Sequence, residues 1–557
     1  MEQRPWHSNY PDGVPLEIDP DSYASLADLC LTSCREYGDR IAISNLGVSL
    51  SFADLDRRSR DFAAYLTAET KLEFGDRVAI MLPNVLQTPI VVLGALRAGL
   101  VVVNVNPLYT VPELEHQLKD SGAKAIVVLE NFASTLANAL PETVIERVIV
   151  ARIGDCLPPV RRWLTNFVVR RVKKLVPAFH IDGAVRMVDA LRRGRKLDFQ
   201  DPKISSEDLA FLQYTGGTTG VAKGAMLTQR NMIANVLQAS AWVHPFFDAD
   251  KDSSITALPL YHIFALTINF FVFLKLGARN FLITNPRDMK GLLRELDTAR
   301  PAFMTGVNTL FNGLLSTRGF DQIDFSSLRI SLAGGMAVQE DVARRWRELT
   351  GVVITQGYGL TETSPVVSAN RLDIEEFNGS VGVPFPSTDV IVLDDSDQRL
   401  GTNEIGELCV KGPQVMLGYW QRPGETEKVF TKDGWLRTGD IARIDGEGRI
   451  YIEDRKKDMI IVSGFNVYPN EVENVLASHP GVLEAAVIGV PSPNSGEAVK
   501  AFIVRRDTAL DKATLIAYCK ERMTGYKTPR RIQFVDDLPK SNVGKVLRRE
   551  LKALSED

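Results

Sequence analysis

The amino-acid sequence predicts an α/β protein: a large N-terminal body of two α/β subdomains plus a small β module, followed by a smaller α+β C-terminal domain. Three observations carry this reading. Apolar runs of strand length alternate with helical runs in two series, before and after residues 214 to 227, as parallel sheets covered by helices require. From Val381 the texture changes to short strands with close turns built on Asp-Gly and Gly-Glu pairs. A chain of 557 residues exceeds what one hydrophobic core supports, and the charged run Asp454-Arg455-Lys456-Lys457-Asp458 marks a boundary, giving domains 1–454 and 455–557.

The elements follow in order. After a start rich in Pro and Asp, a helix begins near Ala27, a short strand pair lies around Ile41 to Ile43, and a charged amphipathic helix begins near Ser51. Val78 to Leu82, Val101 to Val103 and Ala125 to Leu129 read as buried strands, interleaved with helices at Ile90 to Ala98 and Val111 to Ser121. The second series places strands at Ile255 to Leu258, Asn280 to Ile283, Phe303 to Thr305, Arg329 to Ala333 and Val352 to Thr355, with helices between them. Its sheet is expected to face the first. The β module holds Val390 to Leu393, Glu407 to Lys411, Ile441 to Asp445 and Arg449 to Ile452. The last domain has helices at Pro469 to Ser478 and Ala513 to Met523, with strands at Ala485 to Gly489 and Ala501 to Val504.

Composition narrows the function. A formal charge of −4 argues against a nucleic-acid binder, although local basic patches remain open. Cys30, Cys34, Cys156, Cys409 and Cys519 lack the paired short spacings of a zinc site or disulfide framework, which points to a reduced, cytoplasmic protein. Met1 to Cys30 shows no secretory pattern, and the apolar run Ile263 to Leu274 is too short to span a bilayer. Residues 160–196 hold eleven Arg or Lys residues against Asp182 and Asp189. Leu164, Val168, Val172 and Leu175 fall there at helical spacing, near Trp163 and Phe167. Such a basic amphipathic helix suits an anionic membrane surface, and equally a solvated helix packed on the body.

The chemistry centres on residues 214 to 227, where four glycines, three threonines and Lys223 stand between two apolar segments. Glycines let the backbone approach anionic oxygens, and hydroxyls and an ammonium add donors, so Thr215, Gly216, Gly217, Thr218, Thr219, Gly220 and Lys223 form a candidate phosphate cradle. Lys223 is followed by Gly224 rather than Ser or Thr, which separates this loop from the commonest nucleotide-binding loop.

Further stretches follow in a fixed order: Leu258-Pro259-Leu260-Tyr261-His262-Ile263-Phe264, Ala333-Gly334-Gly335, and Gln356-Gly357-Tyr358-Gly359-Leu360-Thr361-Glu362-Thr363. They continue with Gly434 to Asp440, Tyr451 to Asp458, and Pro539-Lys540-Ser541-Asn542-Val543-Gly544-Lys545-Val546. With these motifs the chain resembles the adenylate-forming acyl-CoA synthetases from about residue 25 to about residue 550. Within that superfamily, Met304 to Asn312 and Ser463 to Glu471 look like the bacterial long-chain fatty-acid-CoA ligases.

The resemblance implies that a long-chain fatty acid is converted by ATP and Mg²⁺ to acyl-AMP, and then by coenzyme A to the thioester. It assigns Thr215 to Lys223 to the β- and γ-phosphates, Tyr358, with Gly334, Gly335 and Gly357, to adenine, and Gln356 to the ATP site. Thr361 would touch the phosphates, Glu362 would hold Mg²⁺, and Asp440 and Arg455 would hold the ribose. Lys545 would reach the charge between carboxylate and α-phosphate, with His262 beside the carboxylate. The smaller domain is expected to be mobile, turning about Lys457 to bring Gly464 and Phe465 to the coenzyme A channel. Ile263 to Leu274 and Gly306-Val307 are expected to line the acyl channel; where some long-chain members carry a gating tryptophan, this chain has Leu266.

Three alternatives stay open at this stage: a ligase for a medium-chain or aromatic acid, an enzyme delivering its acyl-adenylate to a separate carrier protein, and a non-catalytic nucleotide-dependent lipid-binding scaffold. Only twelve residues follow Lys545, so no fused carrier is expected. The joint presence of Glu362, Asp440, Arg455 and Lys545 speaks against the scaffold. Association with the inner face of the cell membrane and a homodimer are both compatible with the sequence.

Overall fold

The computed structural model describes residues 4–215, 222–493, 495–541 and 544–555. Two mostly parallel sheets form the body. The first has seven strands in the order Val185–Arg186, Arg147–Ala151, Ala125–Leu129, Arg77–Met81, Val101–Asn104, Leu209–Tyr214 and Gly224–Thr228, the last pair an antiparallel hairpin. The second has nine strands, with Phe303–Gly306, Ile330–Ala333 and Ile354–Gly359 parallel and adjacent near one edge. The helix Gln87–Arg97 is buried along its whole length. Burying each of its Ile, Val and Leu side chains contributes about 1.5–3 kcal/mol. It crosses the helix Phe52–Glu69 at Gly94, where a Cβ would lie 2.9 Å from both the Phe62 ring and the Ser59 carbonyl.

The two sheets are not consecutive in the chain. Ile41–Asn45 pairs in parallel with Arg279–Leu282 and in antiparallel with Val48–Ser51, so the N-terminal hairpin completes the second sheet rather than the first. The two halves are thereby interlocked by residues more than two hundred positions apart.

The β module is a four-stranded antiparallel sheet of Asp389–Leu393, Gly406–Lys411, Leu436–Ile444 and Ile450–Arg455. Its last strand stops at Arg455, and a new sheet starts at Ile460–Val462. That sheet pairs the long strands Val482–Ser492 and Gly496–Arg505, carries helices Pro469–Ala477 and Lys512–Lys520, and has a core of its own including Val467, Leu476, Val487, Ile503 and Leu515.

Within residues 160–196 the expected amphipathic helix forms over the first part, with a π-helical end, and a second helix follows. The helix Pro159–Phe167 runs into a π-helical turn, Val168–Val172, and a second helix, Met187–Gly194, follows after irregular chain containing Pro177. Ala265–Val272 is likewise π-helical and fully buried. No helix among the described residues is long and apolar enough to cross a membrane.

Candidate active site

The flanks of the glycine-rich loop are held by the hairpin Leu209–Tyr214 and Gly224–Thr228, with the Thr215 N–H donating to the Lys223 carbonyl at 2.9 Å. Gly216, Gly217, Thr218, Thr219 and Gly220 lie outside the described residues. Asp120 fixes the base of this hairpin. Its carboxylate accepts from the Tyr214 hydroxyl and the Arg422 guanidinium, each at 2.7 Å, and its carbonyl accepts from the Trp420 indole at 3.1 Å.

Lys223 donates to Glu425 at 2.6 Å and stands 5.0 Å from the centre of the Tyr419 ring. Its contact, with that of Lys428, pulls the Glu425 carboxyl down to about 2. The Tyr419 hydroxyl in turn donates to Glu362 Oε1 at 2.6 Å. Glu362 sits beside Thr361 in the turn Thr361–Thr363, and its backbone carbonyl accepts from the Met416 N–H at 2.9 Å. A chain of contacts thus runs from the loop lysine to Glu362. A single acceptor carboxylate suits a hard cation whose other ligands are phosphate oxygens and water, so Glu362 fits Mg²⁺. The described residues contain no group of three or more His, Cys, Asp and Glu side chains that would form an all-protein metal cage.

The nucleotide side is built at the ends of Ile330–Ala333 and Ile354–Gly359. A Cβ on Gly334 would come within 3.1 Å of the Phe264 ring and 3.4 Å of the Gly357 carbonyl, so these glycines keep the floor flat. The Tyr358 hydroxyl donates to Asp440 Oδ2 at 2.6 Å, and the Arg455 Nε lies 3.4 Å from Asp440 Oδ1. Asp440 and Arg455 are register partners in the β module, which explains why residues fifteen apart meet. Burial raises the Asp440 carboxyl, opposed by Arg455 and the Tyr358 hydroxyl. Gln356 differs from the expectation. Its amide accepts from the Val338 N–H and donates to the Ser380 carbonyl, both at 3.0 Å, so its side chain braces the loops around the floor instead of facing a ligand.

Lys545 arrives from the C-terminal domain. The loop that carries it is closed by the Ser541 N–H donating to the Lys545 carbonyl at 2.7 Å, and the Gly544 carbonyl accepts from Thr309 of the body at 3.3 Å. Gly544 has φ +82°, and a Cβ there would strike the Thr309 hydroxyl at 2.3 Å, so only glycine permits this approach. A Cβ on Gly335 would lie 3.5 Å from Lys545 Cε and 3.9 Å from Nζ. Burial first, and Arg455 second, lower the Lys545 ammonium to about 8, while Asp440 and Glu362 pull it up.

His262 is lowered to about 3, by burial and then by the charge of Lys545, and is neutral at ordinary pH. Its Nδ1 accepts from the Phe264 N–H at 3.3 Å, which assigns the proton to Nε2. Asn84 positions this loop, donating to the Leu258 carbonyl at 2.9 Å and accepting from the Leu260 N–H at 2.8 Å.

The structure therefore gathers Thr215, Lys223, Gly334, Gly335, Gly357, Tyr358, Thr361, Glu362, Asp440, Arg455, His262 and Lys545 around one cleft. Gly464 and Phe465 are elsewhere: Phe465 is 57 % exposed and stacks on Tyr526 with ring centres 4.9 Å apart. Lys457 lies in the exposed turn between Arg455 and Ile460, where the Asp458 N–H donates to the Arg455 carbonyl at 2.9 Å. Asp120, Asn84, Tyr419 and Glu425 belong to none of the sequence motifs; only their position between motifs in space gives them away.

The sequence and the fold are shared with known proteins. The chain matches the AMP-binding enzyme family over residues 31–420 and its C-terminal domain over residues 471–545. It belongs to the AMP-binding enzyme family. It is 55% identical over 547 residues to the long-chain-fatty-acid–CoA ligase of Escherichia coli O157:H7, covering 98% of this chain and 97% of the relative. The ligase of the same name from Bacillus subtilis strain 168 is 37% identical, covering 99% of this chain and 98% of that one. The feruloyl-CoA synthase of an Amycolatopsis species is 35% identical, covering 92% of this chain and 95% of its own. Among solved structures, ATP-bound MatB from Rhodopseudomonas palustris superimposes with a TM-score of 0.81 at 30% identity, covering 95% of this chain and 99% of that one.

Proposed function

We propose that the protein is a long-chain-fatty-acid–CoA ligase that works through acyl-AMP. In the first step a carboxylate oxygen attacks the α-phosphorus of ATP, and the bond to the β-phosphate breaks, releasing pyrophosphate. In the second the coenzyme A sulfur attacks the acyl carbon and AMP leaves with the electron pair, the thiol proton passing to solvent. The observation that carries this reading is the Lys545 ammonium, brought by a separate domain to Gly335, with Glu362, Asp440 and His262 in electrostatic reach.

Each residue has a physical task. Lys545 stabilises negative charge gathering between carboxylate and α-phosphate, and its half-buried place strengthens that attraction. Lys223 exchanges Glu425 for the β- and γ-phosphates, holding the leaving group in line with the attack. Neutral His262 presents its Nε2–H to the carboxylate without adding a competing charge. Tyr358 lies along adenine over the glycine floor, and Asp440 with Arg455 takes the ribose hydroxyls. Glu362, oriented by Tyr419, would hold Mg²⁺, which supplies charge neutralisation at the phosphates. Thr361 contacts the same phosphates.

For the second step, the C-terminal domain would turn in the segment between Arg455 and Ile460, at Lys457. That turn withdraws Lys545 and carries Gly464 and Phe465 toward the coenzyme A path. The domain division at Arg455 rests on the change of sheet there and on the separate core that follows. The five cysteines are free and buried, which supports a reducing cytoplasm.

The acyl group is taken to lie along Ile263 to Leu274 and Gly306-Val307, with Leu266 where some long-chain members carry a gating tryptophan. Buried methylenes add about 0.8 kcal/mol each, so acids of roughly a dozen or more carbons should be preferred. A panel of acids of increasing length, with ferulate and benzoate included, tests this by ATP-dependent thioester formation on free coenzyme A. Preference for acetate, benzoate or ferulate, or transfer only to a carrier protein, would overturn it.

A further inference from the structure

The segment 159–175 is attached to the body with its polar side inward. Asn166 is buried and accepts from the Gly154 N–H at 2.9 Å. Arg161 donates to the Leu46 carbonyl at 2.9 Å, and Asn131 donates to the Leu175 carbonyl at 3.1 Å. The Arg170 Nε lies 3.5 Å from Glu130, whose carboxylate also meets Arg152 at 3.0 Å. Val169 is the apolar side chain that does turn inward.

The outward face is apolar. Val160, Trp163, Leu164 and Phe167 recur at helical spacing and are 79%, 67%, 52% and 45% exposed. Val172 and Leu175 extend the stripe and are more than half exposed. The Trp163 and Phe167 rings stack at 5.5 Å with planes 13° apart, making one flat aromatic surface. A solvated helix resting on the body would show the reverse pattern, apolar in and polar out. Leaving these side chains in water forfeits the burial that drives helix docking, so the stripe marks a surface with an occupant.

We infer that this face inserts into the interfacial layer of an anionic lipid bilayer. The occupant follows from the charge around the stripe. Residues 157–181 up to Ile181 contain Arg161, Arg162, Arg170, Arg171, Lys173 and Lys174, with no Asp or Glu before Asp182. Arg171, Lys173 and Lys174 are exposed beside Val172 and Leu175. Tryptophan and aliphatic side chains rimmed by cations are the composition of a helix lying in the headgroup region. Arg170, which the sequence alone groups with these cations, is partly committed to Glu130 and acts as an anchor of the segment to the body. This surface stands apart from the nucleotide cleft, and the inference holds whatever acid the cleft takes.

The test is co-sedimentation of the full-length protein with phosphatidylcholine vesicles carrying about a third phosphatidylglycerol. The wild type should bind, and pure phosphatidylcholine should bind far less. The variant R171Q/K173Q/K174Q should lose about a hundredfold in partitioning, at about one factor of five per charge, and salt near 0.5 M should reproduce this in the wild type. The variant W163Q/F167Q should lose about tenfold while keeping its salt response. Both sets of side chains are exposed, so melting temperatures should not move; if one variant fails to fold, the salt titration and the other variant still decide. Equal vesicle binding by wild type and both variants, or no binding by the wild type, would overturn the inference. So would a solution dimer that W163Q/F167Q converts to monomer, because the stripe would then be covered by a second copy.

Discussion

The C-terminal domain has two faces that could hardly differ more. One presents Lys545 to the cleft, where the ammonium is wrapped closely enough to fall to about 8. The other presents Gly464 and Phe465 to solvent, with Phe465 stacked on Tyr526 of its own domain. Next to the turn the domain is tied to the body by the Asn470 N–H donating to Asp454 Oδ2 at 2.8 Å and by Arg548, 3.5 Å from the same carboxylate, whereas the face around Lys545 is joined by longer bonds. Its hydrogen bonds to the body include Thr309 to the Gly544 carbonyl at 3.3 Å and Asn312 to the Leu483 carbonyl at 3.2 Å. Arg506 of the domain faces Arg345 and Asp341 of the body across the same junction; burial first and Arg345 second lower it, while Asp341 raises it. A junction anchored beside the turn and joined by longer bonds near Lys545 can exchange the second set while keeping the first, which is what two successive reactions in one cleft require.

The comparison is broken most severely by removing the engaged lysine. Lys545→Ala should reduce fatty-acid-dependent pyrophosphate exchange by about a thousandfold while conversion of supplied acyl-AMP to thioester stays within a few-fold. Comparable losses in both half-reactions would mean that the two faces do not divide the work. Glu362→Ala should cost about a hundredfold in the same exchange and raise its Mg²⁺ requirement. Unchanged exchange would take Glu362 out of the metal site.

The opposite face is probed through the turn between the sheets. Lys457→Pro fixes φ near −65° and should slow thioester formation about tenfold or more, leaving acyl-AMP formation nearly intact. An equal effect on the two steps would return Lys457 to an ordinary exposed charge.

A smaller, graded effect comes from pH. Lys545 works as the ammonium, and its value is lowered from 10.5 to about 8, so the function is present below pH 8 and lost above it. In the free enzyme, kcat/KM for ATP in the first half-reaction should fall about tenfold per unit above pH 8. The thioester step should lack that limb. Arg455→Gln should move the limb upward, since Arg455 is one of the groups that depresses Lys545. His262, at about 3, should contribute no limb between pH 5 and 7.

Much of this was readable in the chain. Alternating strand and helix runs located both α/β series and the β module, and the motifs carrying Lys223, Tyr358, Glu362, Asp440, Arg455 and Lys545 do converge. What escaped has a common cause: linear periodicity says which residues share a face, not what that face meets. Ile41–Asn45 reads as a strand, but its partner Arg279–Leu282 is set by tertiary packing. Asp120 and Tyr419 are isolated polar residues in sequence and become braces of the cleft only when the hairpin folds over them. The spacing of Leu164, Val168, Val172 and Leu175 reads as an amphipathic helix that suits either a membrane surface or the body, and the structure decides by turning Trp163, Leu164, Phe167, Val172 and Leu175 outward.

The alternation of the two faces is tested most directly by forbidding it. Cysteines in place of Arg345 and Arg506, joined by a reducible bifunctional thiol crosslinker, would tie the domain in the arrangement that holds Lys545 in the cleft; the five native cysteines are buried. The crosslinked enzyme should form acyl-AMP and pyrophosphate in a single turnover but release acyl-CoA only after the link is reduced. Acyl-CoA formation at the uncrosslinked rate with the link intact would contradict the account.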